Sequence, residues 1–201
     1  MIKNSQKEKL VLALYEIGAI KFGKFKLKSG KISPFYLDLR FLCSYPEVLK
    51  LVASSINEIL NDLKYDLIVG IPYTGIPIAT AVALQYDKKM IFTRKEAKDH
   101  GIQRMIEGIY KKGQRSVLID DVIADGASKF EVIEPLEKEG LVVKDVIVIL
   151  DRGQGGADIM KKRGYNLHSA LNIEEVISIL RSKGKISTKQ VAEIRAFLSS
   201  L

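Results

Sequence analysis

Tryptophan is absent from the 201 residues, cysteine occurs once and histidine only twice. A single thiol, Cys43, excludes an intrachain disulfide and cannot supply a cysteine-type zinc site, so a reducing cytoplasm fits the composition. A long unbroken apolar span is missing as well. Residues 67–86 carry no charge over twenty positions, but Pro72, Gly75 and Pro77 divide them into strand, turn and buried helix rather than a membrane span. The N-terminus has charges ahead of an apolar run, yet Lys7, Lys9 and Glu16 interrupt it and no small-residue cleavage site follows, so it reads as an amphipathic helix. Acidic side chains are in the minority: 24 Asp and Glu against 32 Lys and Arg leave a net charge of +8. That excess favours a polyanionic partner, whether nucleic acid, an anionic membrane surface or a phosphorylated small molecule, without choosing among them.

What is present is enough apolar material, 47% of the chain, for one substantial core, so a single α/β unit with a small accessory element is expected. Leu10, Val11, Leu14 and Ile17 predict a helix over about 4–18. The alternating basic and apolar residues of 24-KFKLKSGKISPFYLDLR-40 predict a hairpin around Ser29-Gly30. In 44-SYPE-47 the residue types of a capping box precede a helix predicted over about 45–62. Four short apolar runs, 66-DLIVG-70, 89-KMIFT-93, 116-SVLID-120 and 145-DVIVIL-150, have the character of strands buried on both faces of a parallel sheet. Crossover helices are expected after Gly75 and after Gly126, and two more helices open at caps formed by Asn172 with Glu175 and Ser187 with Gln190. In such open sheets, ligands bind at the carboxyl ends of strands.

Four of those strand ends carry chemistry. In 70-GIPYTGIP-77 the two glycines have P-loop spacing, but Ile76 and Pro77 stand where Lys and Ser or Thr are needed, which leaves a turn and a helix N-terminus suited to an anion. The run 94-RKEAKDHG-101 is ordinary solvated surface if taken alone. It lies, however, on a connection of residues 94–112 between buried strands, and a cationic lid there would neutralise charge on a leaving group. In 117-VLIDDVIADGAS-128 two carboxylates end a buried strand and a small-residue turn follows. Acids for sugar hydroxyls or hydrated Mg²⁺ beside amides for phosphate describe a phosphorylated-sugar site, and a plain strand-end polar pair is the bland alternative. In 150-LDRGQGGAD-158, Arg152 is either a fork for a ligand carboxylate or half of a strand-end pair with Asp151.

Together these segments resemble the type I phosphoribosyltransferases. The segment 117-VLIDDVIADGAS-128 carries the general signature, while 25-FKLKSGKISPFYLDLR-40, 94-RKEAKDHG-101 and 150-LDRGQGG-156 are similar to the orotate branch. The resemblance spans about 20–156. It implies an α/β fold with a central, mostly parallel sheet flanked by helices, in a single domain 1–201 whose small hood comes from about 20–40 and the region after 150. It implies transfer of the 5-phosphoribosyl group from phosphoribosyl pyrophosphate to orotate in de novo pyrimidine (UMP) biosynthesis. Asp120 and Asp121 would meet the ribose hydroxyls and a hydrated Mg²⁺, with Ala124, Asp125, Gly126, Ala127 and Ser128 around the 5′-phosphate and Tyr73 and Thr74 at the pyrophosphate. Lys28, Phe35, Tyr36 and Arg152 would surround orotate. Arg94, Lys95, Lys98 and His100 match the catalytic loop, which closes over a neighbouring subunit's site and so implies a homodimer. A cytoplasmic enzyme with a possible orotidine 5′-phosphate decarboxylase partner, and no membrane or nucleic-acid role, completes the expectation.

Two positions depart from the family pattern: Ala124 stands where Thr is common, and Asp125 where the residue is usually small or hydroxylated. A carboxylate beside a phosphate is repelled, so Asp125 is expected to turn away and cap the following helix through the amide of Ala127 or Ser128. The rival readings are a phosphoribosyltransferase for another base and a nucleotide-responsive RNA-binding regulator on the same fold.

Overall fold

The computed structural model describes residues 2–26, 30–94 and 105–200. The first helix, α1 (Asn4–Glu16), buries Leu10, Val11 and Leu14 along one stripe and ends before Gly18, whose φ of 76° turns the chain away. The hairpin forms as β1 (Ile20–Lys26) antiparallel to β2 (Ile32–Leu37), starting earlier than the sequence pattern suggests. Its tip, with Lys28, lies outside the described residues.

The next helix, α2 (Pro46–Leu60), corrects one expectation. Ser44 does not cap it: Ser44 closes a short 3-10 turn (Leu42–Ser44), the N-cap position falls to Tyr45 with no side-chain hydrogen bond, and Glu47 pairs with Lys50 at 3.1 Å. The cause is Pro46. A residue before proline is held out of the helical region, so Tyr45 cannot be the first helical residue that a cap at Ser44 requires.

From here strands and helices alternate: β3 (Leu67–Gly70), α3 (Gly75–Tyr86), β4 (Met90–Thr93), β5 (Ile106–Glu107), β6 (Arg115–Ile123), α4 (Ala127–Lys138), β7 (Val142–Asp151), α5 (Gly156–Lys162) and β8 (Asn166–Asn172). One sheet results, in the order β5-β4-β3-β6-β7-β8, parallel except for the edge strand β5. Its central strands β3, β6 and β7 are buried on both sides with period two, whereas β4, with Met90 and Phe92 only half-buried, is covered less fully than expected for 89–93, and β8 is also partly open. Ile68, Val117, Ile119, Ile147 and Ile149 face a core shared with Val52 and Ile56 of α2 and Ile78 and Val82 of α3. Leu67, Val69, Leu118, Val146 and Val148 face Phe130, Ile133 and Leu136 of α4 and Met160 of α5. Each of these fully buried aliphatic side chains contributes roughly 1.5–3 kcal/mol.

Both tail helices, α6 (Ile173–Ser182) and α7 (Thr188–Ser199), open with the expected reciprocal caps: Asn172 with Glu175 and Ser187 with Gln190. Helix α7 packs on β2, with Phe197 edge-on to Phe35 at 6.1 Å between ring centroids. Among the described residues no helix is long and apolar enough to cross a membrane.

The topology selects one place for a ligand. From β3 the chain crosses through α3 to β4 on one side, and from the adjacent β6 it crosses through α4 to β7 on the other. Adjacent strands whose connections leave in opposite directions open a crevice at their carboxyl ends.

Candidate functional site

Two loops meet in that crevice, and a glycine sets their separation. A Cβ on Gly75 would lie 2.3 Å from the Ile119 carbonyl oxygen, so only glycine lets the start of α3 press directly against β6. Before it, Tyr73 is 70% exposed and Thr74 occupies the N-cap position of α3 without a side-chain capping bond. No acidic residue lies in the first turn of α3, which leaves the positive end of the helix dipole uncompensated there.

On the β6 side, the acids separate by environment. Asp120 is 6% exposed, and both its oxygens are held: Oδ1 accepts the Asp121 amide at 2.9 Å and Oδ2 accepts Lys129 Nζ at 2.5 Å. Burial raises its carboxyl above the ordinary carboxylate range, with the Lys129 charge opposing. Asp121 is half-buried, with Oδ1 on the Val122 amide at 2.8 Å. Asp125 is exposed and Oδ1 accepts the Ala127 amide at 3.1 Å, so it turns onto the helix start. Gly126, with φ of 84°, makes the left-handed step into α4, and Ala127 and Ser128 are exposed on its first turn. Ala124 is half-buried behind them.

Arg152 leaves the end of β7 beside the same turn, its amide bonded to the Ile123 carbonyl at 3.0 Å. It does not form the strand-end pair with Asp151 that a bland role would predict, because Asp151 Oδ1 takes the Gly153 amide at 2.8 Å. Instead, the guanidinium lies 5.4 Å over the Phe35 ring, and Nε is buried with no hydrogen-bond partner among the described residues. Burial pushes the Arg152 pKa below its usual value. Phe35 is fully buried and supports Arg152 from the core rather than lining an open pocket, whereas Tyr36 is exposed and stacks on Phe25 at 5.4 Å. Arg40 donates to the Tyr36 hydroxyl at 3.2 Å and to Asp38 at 2.6 Å.

Of the loop cations, Arg94 forms an ion pair with Glu107 of β5, at the foot of the connection. Lys95, Lys98 and His100 lie outside the described residues, as does Lys28. Two features escaped the sequence. Lys129 gives no local signal, because a lysine in the first turn of a helix reads as surface. Asp38 and Arg40 stand within the hairpin motif, and only the fold shows that they brace Tyr36.

Residues 43–179 match the family described as the phosphoribosyl transferase domain. The chain is 41% identical over 191 residues to the uridine 5'-monophosphate synthase of Bos taurus, covering 94% of this chain and 40% of that protein. It is 40% identical over 192 residues to the orotate phosphoribosyltransferase of Chlamydia caviae, covering 94% of this chain and 93% of that one. Its fold matches the structure of Leishmania donovani UMP synthase with a TM-score of 0.89 at 38% identity, over 97% of this chain and 42% of the other. The chain spans about two fifths of the length of these longer relatives.

Proposed function

The chain belongs to the phosphoribosyl transferase family and, within it, to the orotate phosphoribosyltransferases, and from that premise we propose that it transfers the 5-phosphoribosyl group of phosphoribosyl pyrophosphate to orotate. The products are orotidine 5′-phosphate and pyrophosphate, in pyrimidine (UMP) biosynthesis. Arg152 is the observation that carries the choice of orotate. Its Nε is buried with no hydrogen-bond partner among the described residues, its guanidinium lies over Phe35, and Tyr36 is near enough to act on its charge. A partly desolvated guanidinium whose Nε has no partner among the described residues suits a planar carboxylate, and hydrogen bonds to a charged group contribute roughly 1.5–3 kcal/mol.

The other roles follow from position. Amides of Gly126 and Ser128 receive the 5′-phosphate at the start of α4, the Ala127 amide being held by Asp125, and Tyr73 and Thr74 hold pyrophosphate at the start of α3. Asp121 offers an open oxygen to the ribose hydroxyls. Tyr36 flanks the base, and Lys28, outside the described residues, is assigned to orotate by the resemblance alone. Among the described residues no cluster of three or more His, Cys, Asp or Glu side chains is arranged to hold a metal. One outward carboxylate fits a hydrated Mg²⁺ carried by the substrate's phosphates better than a protein-ligated ion. Bound there, the ion neutralises charge on the pyrophosphate. In the reaction the C1–oxygen bond breaks with its electron pair leaving on pyrophosphate, a pyrimidine nitrogen of orotate bonds to C1, and the proton of that nitrogen is released. Lys95, Lys98 and His100 stabilise the departing polyanion from a loop that Arg94 anchors through Glu107.

The same reading makes the protein a cytoplasmic homodimer in which that loop serves the neighbouring site, and makes the hairpin with the segment after 150 a hood within one domain. Packing of α7 on β2 supports the hood. A link to an orotidine 5′-phosphate decarboxylase is supported by the bovine protein, more than half of which lies outside the matched part. The test is loss of orotate absorbance with phosphoribosyl pyrophosphate and Mg²⁺, with uracil, xanthine and hypoxanthine as rival acceptors. Turnover of orotate alone is expected. Preference for another base would overturn the assignment.

A further inference from the structure

An exposed tyrosine ordinarily samples several rotamers, yet Tyr36, 36% exposed near the end of β2, is held from two directions. Its ring stacks on Phe25 of β1, with 5.4 Å between centroids and 28° between planes. Its hydroxyl accepts a hydrogen bond from Arg40 Nη2 at 3.2 Å. Arg40 is fixed in turn by Asp38, whose Oδ1 accepts Nε at 2.8 Å and the Arg40 amide at 3.2 Å, and whose Oδ2 accepts Nη2 at 2.6 Å. Such a fork sets the plane of the guanidinium as well as its position. The Asp38 amide is tied to the Ala19 carbonyl at 2.9 Å and its carboxylate is only 16% exposed, so the arrangement starts from fixed backbone. The hydrogen bond from Arg40 holds the Asp38 carboxyl below its usual range, which keeps the fork charged at neutral pH. The group also borders the crevice: Tyr36 is near enough to act on the charge of Arg152, and Asp121 on that of Arg40.

We infer that Asp38 and Arg40 form a clamp that pre-sets the Tyr36 ring as the acceptor-side wall of the site, with Arg40 acting through Tyr36 and not by its own charge. The inference rests on the proposed function, in which Tyr36 flanks orotate. Freezing a free side chain when a ligand binds lowers affinity. A ring already held by Phe25 and Arg40 avoids that loss. Arg40 is therefore a positioning residue, and its effect falls on the acceptor, because neither Tyr36 nor Asp38 belongs to the turns assigned to the donor.

Arg40→Met, Tyr36→Phe and the double variant test this. Donor affinity is read by calorimetry, KM and kcat by the orotate assay, and the Tyr36 χ1 rotamer of the ligand-free protein by NMR. Arg40→Met is expected to raise the orotate KM about threefold to tenfold, the range for ordering one side chain. Its kcat should stay within about twofold, as when binding alone is lost, and its Tyr36 should average over rotamers where wild type holds one. Tyr36→Phe keeps both charges and should raise the orotate KM equally, with donor affinity unchanged. The double variant should be no worse than either, since each substitution removes the same hydrogen bond.

If Arg40 acted by charge, Tyr36→Phe would leave the orotate KM unchanged and the Arg40→Met loss would fade in high salt; that pattern would overturn the inference. A Tyr36→Phe loss well beyond that of Arg40→Met would show that the hydroxyl itself touches the acceptor, and would overturn it too. So would an equal loss of donor affinity in Tyr36→Phe, the mark of a general structural role. A single retained Tyr36 rotamer in Arg40→Met would overturn the clamp. A wild-type chain that does not turn over orotate would overturn the proposed function and the acceptor half of the inference together, while the rotamer measurement still decides the clamp.

Discussion

Asp125 is the residue at which this chain departs most sharply from an anion-binding turn, and its geometry resolves the conflict at a stated cost to the site. Its carboxylate holds the Ala127 amide at 3.1 Å, so that amide is already taken and is not open to the proposed 5′-phosphate. Asp125→Ala is expected to destabilise the fold by about 1 kcal/mol, the usual loss of a helix-start cap. It should also lower KM for phosphoribosyl pyrophosphate about threefold to tenfold, since a solvent-screened like charge is removed and an amide released. A raised KM would mean that Asp125 serves the donor. Arg152 behaves oppositely, because its Nε is buried with no hydrogen-bond partner among the described residues. Replacing it by Met removes a cation–π contact of about 0.5–1 kcal/mol and relieves a desolvation penalty of about 1–3 kcal/mol, so stability should stay within about 1 kcal/mol. Orotate kcat/KM should nonetheless fall about tenfold to a hundredfold; an equal loss with an acceptor lacking the carboxylate would sink the assignment. Both residues were legible in sequence because strand ends concentrate function. Lys129 was not, because its importance is a matter of burial, and burial of a lysine is decided by what packs over it.

Elements were legible where a local rule acts without competition. The caps at Asn172 and Ser187 formed as their residue types dictate, while the similar pattern at Ser44 was overridden by Pro46 one residue into the intended helix. The two serines therefore make a controlled pair. Ser187→Ala should lower the unfolding free energy by about 1 kcal/mol and Ser44→Ala by less than about 0.5 kcal/mol, read from urea midpoints; equal losses would mean that Ser44 caps α2 after all. Strand β8 escaped because Asn166, His168 and Ser169 dilute its apolar pattern. As an edge strand it is held in register partly by polar pairs, Asn166 and His168 both reaching Asp145, at 3.1 and 2.8 Å. Strand β5, two residues long, is too short to show any period. The junction of α3 with β6 depends on one missing methyl group. Gly75→Ala would place a Cβ 2.3 Å from the Ile119 carbonyl oxygen, where backbone on both sides cannot yield locally. A loss of about 3 kcal/mol or more is expected, with donor affinity falling alongside, because the two loops of the crevice must separate. Unchanged stability would show that the helix start can slide.

At the scale of the whole molecule, the alternation of a doubly wound fold was readable from four apolar runs, since strands covered on both faces, as β3, β6 and β7 are, tend to be apolar at successive positions. The crevice followed from topology alone, because the crossovers from β3 and β6 leave in opposite directions. What a sequence cannot display is which surfaces of two copies meet, and the proposed catalytic loop makes that question functional. If the loop of one subunit completes the site of its neighbour, then Lys98→Ala damages the partner's site while Asp121→Asn damages its own. Lys98→Ala alone should lower turnover about a hundredfold, equivalent to ~3 kcal/mol of lost stabilisation of the departing pyrophosphate. Asp121→Asn alone should act mainly on donor affinity. Mixed in equal amounts and allowed to exchange, the two variants form mixed dimers in about half of the population, each with one doubly damaged site and one intact site. Activity should therefore return to about a quarter of wild type, with the wild-type KM for the donor. Without loop exchange each mixed dimer would hold two singly damaged sites, and mixing would restore nothing. The magnitude of recovery thus separates a shared loop from a loop that closes over its own subunit, and equilibrium sedimentation of the mixture shows whether dimers formed at all.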